Sequence, residues 1–306
     1  VVHARSLIPG VMAYFICLLS PAKFLFDIRD FFTEEKVDGG RIKRNSFIYK
    51  ILLGIEHHLY KSSDFIVALT HVSKRILIEK FCLDTDRISV VPTCADSNVF
   101  YPISESQKKR IRENNCFSPQ DFICIHVGTV TGWYLFDQEL LFFKELKKHK
   151  SNAKFLILNQ DQHSFIHEKL AEFSVDITDI VLLDVPFEKV NSFINIADVA
   201  LYFIVPSYSK QAAAPTKFAE FVRVHLPSIT NPGIGDMNTY ILDYETGVMV
   251  DPYNINIDSV KETLVWLDNF YTSDQKNNFC DLYDGAFSIS SAVTKYQSIY
   301  DELTNE

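Results

Sequence analysis

Thr216, Lys217 and Glu220 fall within five consecutive residues and are types that can hold a phosphorylated ligand. Pro215, just before them, suits a helix start, because its missing N–H would have had no partner there. The free N–H groups of that first turn, the helix dipole, the Thr216 hydroxyl and the Lys217 ammonium then converge on one spot that favours a phosphate. Glu220 shares their face, since residues three and four apart are neighbours on a helix, and its carboxylate can accept a ribose hydroxyl. The competing reading is an amphipathic helix with a solvated Lys–Glu pair. Gly233-Ile234-Gly235-Asp236 follows as a tight turn where backbone can approach a ligand closely.

The elements that would position these residues alternate along the chain. The apolar run Val199 to Val205 reads as a strand that breaks at Pro206, and a polar loop with Lys210 leads into the helix, which ends near Leu226-Pro227. Upstream, strands are expected at residues 1–3, 23–28, 64–70 and 88–92. Helices at 10–20, 46–62 and 71–81 separate them, and 30–44 reads as a charged loop. A polar stretch at 102–120 follows, and the alternation restarts with strands at 122–128, 154–159 and 179–183 and helices at 134–149, 163–173 and 187–195. The strands are continuous apolar runs, which indicates parallel sheets covered on both faces. The expected fold class is therefore α/β, with two doubly wound, Rossmann-like domains facing across a cleft. Their ranges are 1–105 and 106–286, with a last helix at 287–306 returning to the first domain. Ligands of such sheets sit off the carboxyl ends of the strands.

The 306 residues carry a net charge of −9, which argues against nucleic acid as a partner. Cys17, Cys82, Cys94, Cys116, Cys124 and Cys280 show neither a C-x-x-C nor a Cys/His metal spacing, and Cys17 and Cys124 sit within apolar runs, so free buried thiols in a reducing, cytoplasmic compartment are expected. The uncharged run from Ser6 to Ala22 is short of the roughly 20 residues a membrane span needs and reads as a core helix. The start at Val1-Val2-His3, without a Met, suggests a fragment or a processed form.

The segment PTKFAEF followed by LPSITNPGIGD resembles the donor-binding segment of retaining glycosyltransferases of the GT-B fold, family four. Other stretches resemble the same family in the same order: KFLFDIRDFF, GIEHHLYKSSDFIVALTHVSKRIL, ISVVPTCADSNVFYP, CIHVGTVTGWY and the final FSISSAVTKYQSIYDEL. The resemblance implies a UDP- or GDP-linked sugar as substrate, transferred with retention and without a metal or other cofactor. It places Glu220 on the ribose. Pro215, Thr216, Lys217 and Lys210 fall on the diphosphate, Gly128 and Thr129 in close backbone contact, and Val185 and Pro186 beside the base. His3 matches a histidine that contacts the donor sugar, so His3, Lys217 and Glu220 are the catalytic candidates. Arg5 and Arg29 are candidate acceptor contacts, against a competing reading as ion pairs with Asp27 or Asp30. His126 and Glu188 read as structural.

Two departures from the family stand out. The first domain lacks two or three strand–helix units, so the N-terminal domain is expected to be incomplete and a partner chain could supply the rest. The loop after Gly128 has no basic residue, and Ala212 occupies the position of an earlier acid, leaving fewer cations and acids for the donor. The expected acceptor is a glycan or lipid-linked glycan, in surface polysaccharide synthesis with peripheral contact at the inner membrane face. The alternative is a non-catalytic nucleotide-sugar-binding subunit.

Overall fold

The computed structural model describes residues 1–273 and 275–305, so Glu306, the end of the expected last helix, lies outside the described residues. The first lobe runs β1 (Val2–Arg5), α1 (Leu7–Leu18), β2 (Phe24–Ile28), α2 (Phe32–Asp38), α3 (Phe47–Ser62), β3 (Phe65–Ala68), α4 (His71–Phe81) and β4 (Ile88–Val90). α5 (Glu105–Asn114) leads to β5 (Phe122–Val127), α6 (Phe136–His149), β6 (Ala153–Leu158), α7 (His163–Glu172), β7 (Ile180–Leu183), α8 (Phe187–Ile196) and β8 (Val199–Leu201). The chain continues through α9 (Thr216–Arg223), β9 (Ser228–Thr230), α10 (Met237–Asp243), β10 (Gly247–Met249), α11 (Ile257–Thr272), α12 (Lys276–Leu282) and α13 (Ile289–Asn305).

The strands form two sheets, β1-β2-β3-β4 and β10-β9-β8-β5-β6-β7, and every pairing is parallel. β2 and β3 are buried along their whole length, as continuous apolar strands between two helical layers must be. Ile299 and Leu303 of α13 pack with Leu25, Phe65, Val67 and Val91 around β2 and β3.

Two expectations need correcting. Residues 30–44, expected as a loop, contain α2. Its start is held by a distant residue, the Glu56 carboxylate of α3, which accepts the Thr33 N–H at 3.1 Å, while the Tyr49 hydroxyl donates to Glu34 at 2.9 Å. Burial in turn pushes Glu56 up to about 7. The helix expected from residue 134 begins at Phe136, because Tyr134 instead forms an antiparallel bridge with Ile204.

The carboxyl ends of the first sheet face the second lobe, and the segment after β8 is fastened there. A single helical turn at Ser209–Ala212 lies against α2 and α4. The Thr70 hydroxyl donates to the Gln211 carbonyl at 2.8 Å and the Thr93 hydroxyl to the Ala214 carbonyl at 2.8 Å. The Asp236 carboxylate accepts the first two N–H groups of α4, from His71 at 2.6 Å and Val72 at 3.0 Å. A second-lobe acid thus caps a first-lobe helix. Gly235 must be glycine, since its φ is 41° and a Cβ there would meet the Ala213 carbonyl oxygen at 2.2 Å.

Candidate active site

β5, β6 and β7 end at a recess of about 360 Å³, lined by Val127 to Thr129, Leu158 to Asp161, Val185, Phe187 and Val190. Gly128 turns there with φ 96°, and its N–H donates to the Leu158 carbonyl at 2.8 Å. Asn159 and Gln162 fix the loop that follows. The Asn159 amide donates to the Gly128 carbonyl at 3.0 Å, and Gln162 Oε1 accepts the Val130 N–H at 2.9 Å and the Thr129 hydroxyl at 3.0 Å. From behind, His126 Nε2 donates to the Thr129 carbonyl at 3.0 Å while Nδ1 shares a hydrogen bond of 2.7 Å with Glu139, both side chains fully buried. His126 is thereby a satisfied core residue, as expected. Neither Asn159 nor Gln162 is among the residues expected at the site from sequence; their signal is a polar cluster directly after the apolar run of β6. A larger groove of about 830 Å³ lies between α5 and α12, beside Asp198 and Pro227 at the amino ends of β8 and β9, away from these loops.

α9 approaches the recess. Pro215 is its N-cap, one position earlier than expected, and Thr216 at the first helical position is exposed. The Lys217 ammonium comes next to the Gly128 backbone: a Cβ on that glycine would stand 4.0 Å from Nζ. It lies 4.0 Å from the Tyr134 ring centroid and 5.6 Å from that of Tyr202, is shielded from solvent, and makes no hydrogen bond. Burial lowers Lys217 to about 8, opposed by the negative charges of Glu139 and Glu220. Glu220, one turn on, is raised to about 7 by burial, with Lys217 pulling the other way. The helix period therefore brings Lys217 and Glu220 together as expected. What results is a lone buried cation beside a glycine turn and a helix start, an arrangement suited to an anion.

The other expected site residues are divided between this recess and more distant places. Val185 lines the recess and Pro186 caps α8 beside it. Lys210, expected on the diphosphate, instead places Nζ 3.1 Å from Glu35 of α2 and 3.9 Å from the Trp133 ring centroid. Ala212, where the family has an acid, is buried in the first-lobe core beside Phe31, surroundings that would penalise a carboxylate. His3, expected at the carboxyl end of its strand, is the second residue of β1, because pairing with β2 continues to Arg5 opposite Asp27. Its Nδ1 shares a hydrogen bond of 2.8 Å with the Tyr300 hydroxyl of α13. Arg5 lies 3.9 Å from Asp27, the ion-pair alternative. Arg29 is half-buried and, among the described residues, makes no hydrogen bond or ion pair; burial pulls its guanidinium down and Asp27 opposes this. Among the described residues no cluster of three or more His, Cys, Asp or Glu is arranged to hold a metal.

Two parallel-sheet α/β lobes with a recess at the carboxyl ends of the second sheet define the GT-B class. Residues 107–269 match the model of the family described as glycosyl transferases group 1, and the chain belongs to that family. Among solved structures, sucrose-phosphate synthase from Thermosynechococcus elongatus superposes with a TM-score of 0.74 at 13% identity, over 99% of this chain and 73% of that one. HepE from Anabaena in complex with UDP gives a TM-score of 0.76 at 12% identity, over 99% of this chain and 78% of that one. Mannosylfructose-phosphate synthase of Agrobacterium fabrum is 36% identical over 61 residues, which span 19% of this chain and 13% of that protein.

Proposed function

We propose that this chain transfers a sugar from a nucleotide-diphosphate sugar to an acceptor hydroxyl, with retention at the anomeric carbon and without a metal ion. The observation that carries the reading is the Lys217 ammonium, buried without a hydrogen-bond partner beside Gly128 at the start of α9. In this reading the base enters the recess by Val185 and Phe187, and Glu220 accepts from the ribose. The diphosphate meets Lys217, Thr216 and the first N–H groups of α9. Departure of the diphosphate develops negative charge on its oxygens, and a preorganised ammonium and helix start stabilise that charge in place. The acceptor comes from the first lobe, where Arg29 and Arg5 stand at the carboxyl ends of β2 and β1.

Calorimetric titration with UDP, GDP and their hexose conjugates tests the donor site. Proton NMR of the product's anomeric centre, with and without EDTA, tests retention and metal independence. Absence of binding to every nucleotide in that panel would sink the reading.

A second reading, a subunit that needs a partner chain, is favoured by one observation. Ile8, Met12, Phe15 and Ile16 of α1, Leu19 just after it, and Phe47, Ile48 and Ile51 of α3 are exposed; α1 packs on the edge strand β1 and on α3. A surface of this kind favours association. Nucleotide binding without turnover, with transfer appearing only when a second protein is added, would select this reading.

A further inference from the structure

Residues 133–135 run antiparallel beside 203–205: the Val205 N–H donates to the Trp133 carbonyl at 2.8 Å and the Leu135 N–H to the Phe203 carbonyl at 2.9 Å. Successive side chains of extended backbone leave on opposite sides. Trp133 and Tyr134 accordingly each receive a different lysine, Lys210 at 3.9 Å and Lys217 at 4.0 Å from the ring centroid. The two lysines differ in one respect. Lys210 has the Glu35 carboxylate at 3.1 Å, whereas Lys217 has no hydrogen bond at all.

The groups around Lys217 come from five places: the Gly128 turn after β5, Tyr134 before α6, Glu139 on α6, Tyr202 after β8, and Glu220 on α9 itself. Glu139 acts on Lys217 only through space, because its oxygens are taken by His126 and by the Phe203 N–H at 3.2 Å. Glu220 forms no ion pair with it among the described residues. A buried ammonium without a partner tends to lose its proton. The electron-rich face of an aromatic ring opposes that loss and fixes where the ammonium sits.

We propose that Tyr134 is a positioning residue of the donor site, its ring holding the protonated Lys217 ammonium against the Gly128 backbone to meet a diphosphate, while Trp133 holds Lys210 apart, toward Glu35 of the first lobe. This rests on the donor reading above. It also accounts for a loop after Gly128 without a basic residue: one cation serves, and an aromatic seat keeps it charged.

Lysine side-chain carbon NMR of the free chain tests the seat without any nucleotide, the Lys217 resonance being the one absent from K217M. The expected midpoint is near 8 in the wild type. Y134F keeps the ring and the midpoint, and Y134L lowers it by about one pH unit. UDP affinity should follow, about fivefold weaker in Y134L at pH 8 and almost unaffected at pH 6.5, because most of the lysine is then protonated in both. Y134M, a flexible filler of the same space, serves as a second non-aromatic variant should Y134L not fold. An unmoved midpoint in Y134L or Y134M, or a Y134F that behaves like them, overturns the proposal. A Lys217 that titrates as expected in a chain binding no nucleotide overturns the donor reading instead, and with it the purpose assigned to the seat.

Discussion

Replacing Lys217 by Met should make the protein more stable and worse at binding nucleotide, two effects of opposite sign. Met has nearly the same reach and suits the aromatic surroundings of Tyr134 and Tyr202, but carries no charge. Burial holds Lys217 at about 8 against an ordinary 10.5, which at 1.36 kcal/mol per pH unit sets a ceiling of about 3 kcal/mol on the folding penalty. The residue as a whole is only half-buried although its ammonium is shielded, and the Tyr134 and Tyr202 rings return part of the lost solvation, so about 1–2 kcal/mol is expected. The sign follows from the folded value lying below the unfolded one. The penalty is fully present below about pH 8, where both states are charged, and fades as pH rises towards 10.5. K217M should therefore raise the melting temperature at pH 7 by a few degrees, with the gain vanishing near pH 10.5. Against UDP, loss of one charge-assisted hydrogen bond worth about 1.5–3 kcal/mol weakens binding roughly 10- to 150-fold. Differential scanning fluorimetry across pH and isothermal titration at pH 7 supply both numbers. A K217M protein less stable than wild type, or one binding UDP as tightly, would refute the account of Lys217 as an unpaired cation kept for an anion.

Three further outcomes are expected. Glu220, raised to about 7 from an ordinary 4.5, holds its proton in the fold after the unfolded chain has lost it, so this contribution to stability falls as pH rises from 4.5 to 7. Urea midpoints at pH 5 and 7.5 should differ less in E220Q than in wild type, and E220Q should bind UDP about tenfold more weakly through a lost ribose contact. Q162A frees the loop at Thr129 and Val130 and should weaken nucleotide binding about tenfold while moving the melting temperature little, since Gln162 sits at the surface end of β6. D236A strips two N–H groups of α4 of their acceptor and should cost about 1–2 kcal/mol by urea denaturation, with D236N recovering part of it.

The sheets were legible because runs such as Phe24 to Ile28 are apolar on both faces, and only a parallel strand between two helical layers requires that. α2 was not, because Phe31 offers no cap and the Thr33 N–H is satisfied by Glu56, 23 residues away. The same distinction holds at the site. Lys217 and Glu220 share a face by helical period alone. The partners that give them meaning, Tyr134 and Glu139 for Lys217 and Glu35 for Lys210, come from elements with no sequence relation to α9. Gln162 and Asn159 were hidden for a related reason, since an amide after a strand becomes a loop clamp only once β5 and β6 are paired. His3 shows the reverse failure, where a strand running two residues further than expected, to Arg5, moved it away from the carboxyl end.

The Asp236 carboxylate gives this molecule an internal gauge. Because the opening amides of α4 are protected by an acid from the opposite lobe, any gaping of the two halves exposes them to water together. Deuterium uptake at His71 and Val72 would thus clock how often the jaws part, with no label, substrate or assay of turnover. Slowing of that uptake on adding a nucleotide would show the halves being drawn shut around it.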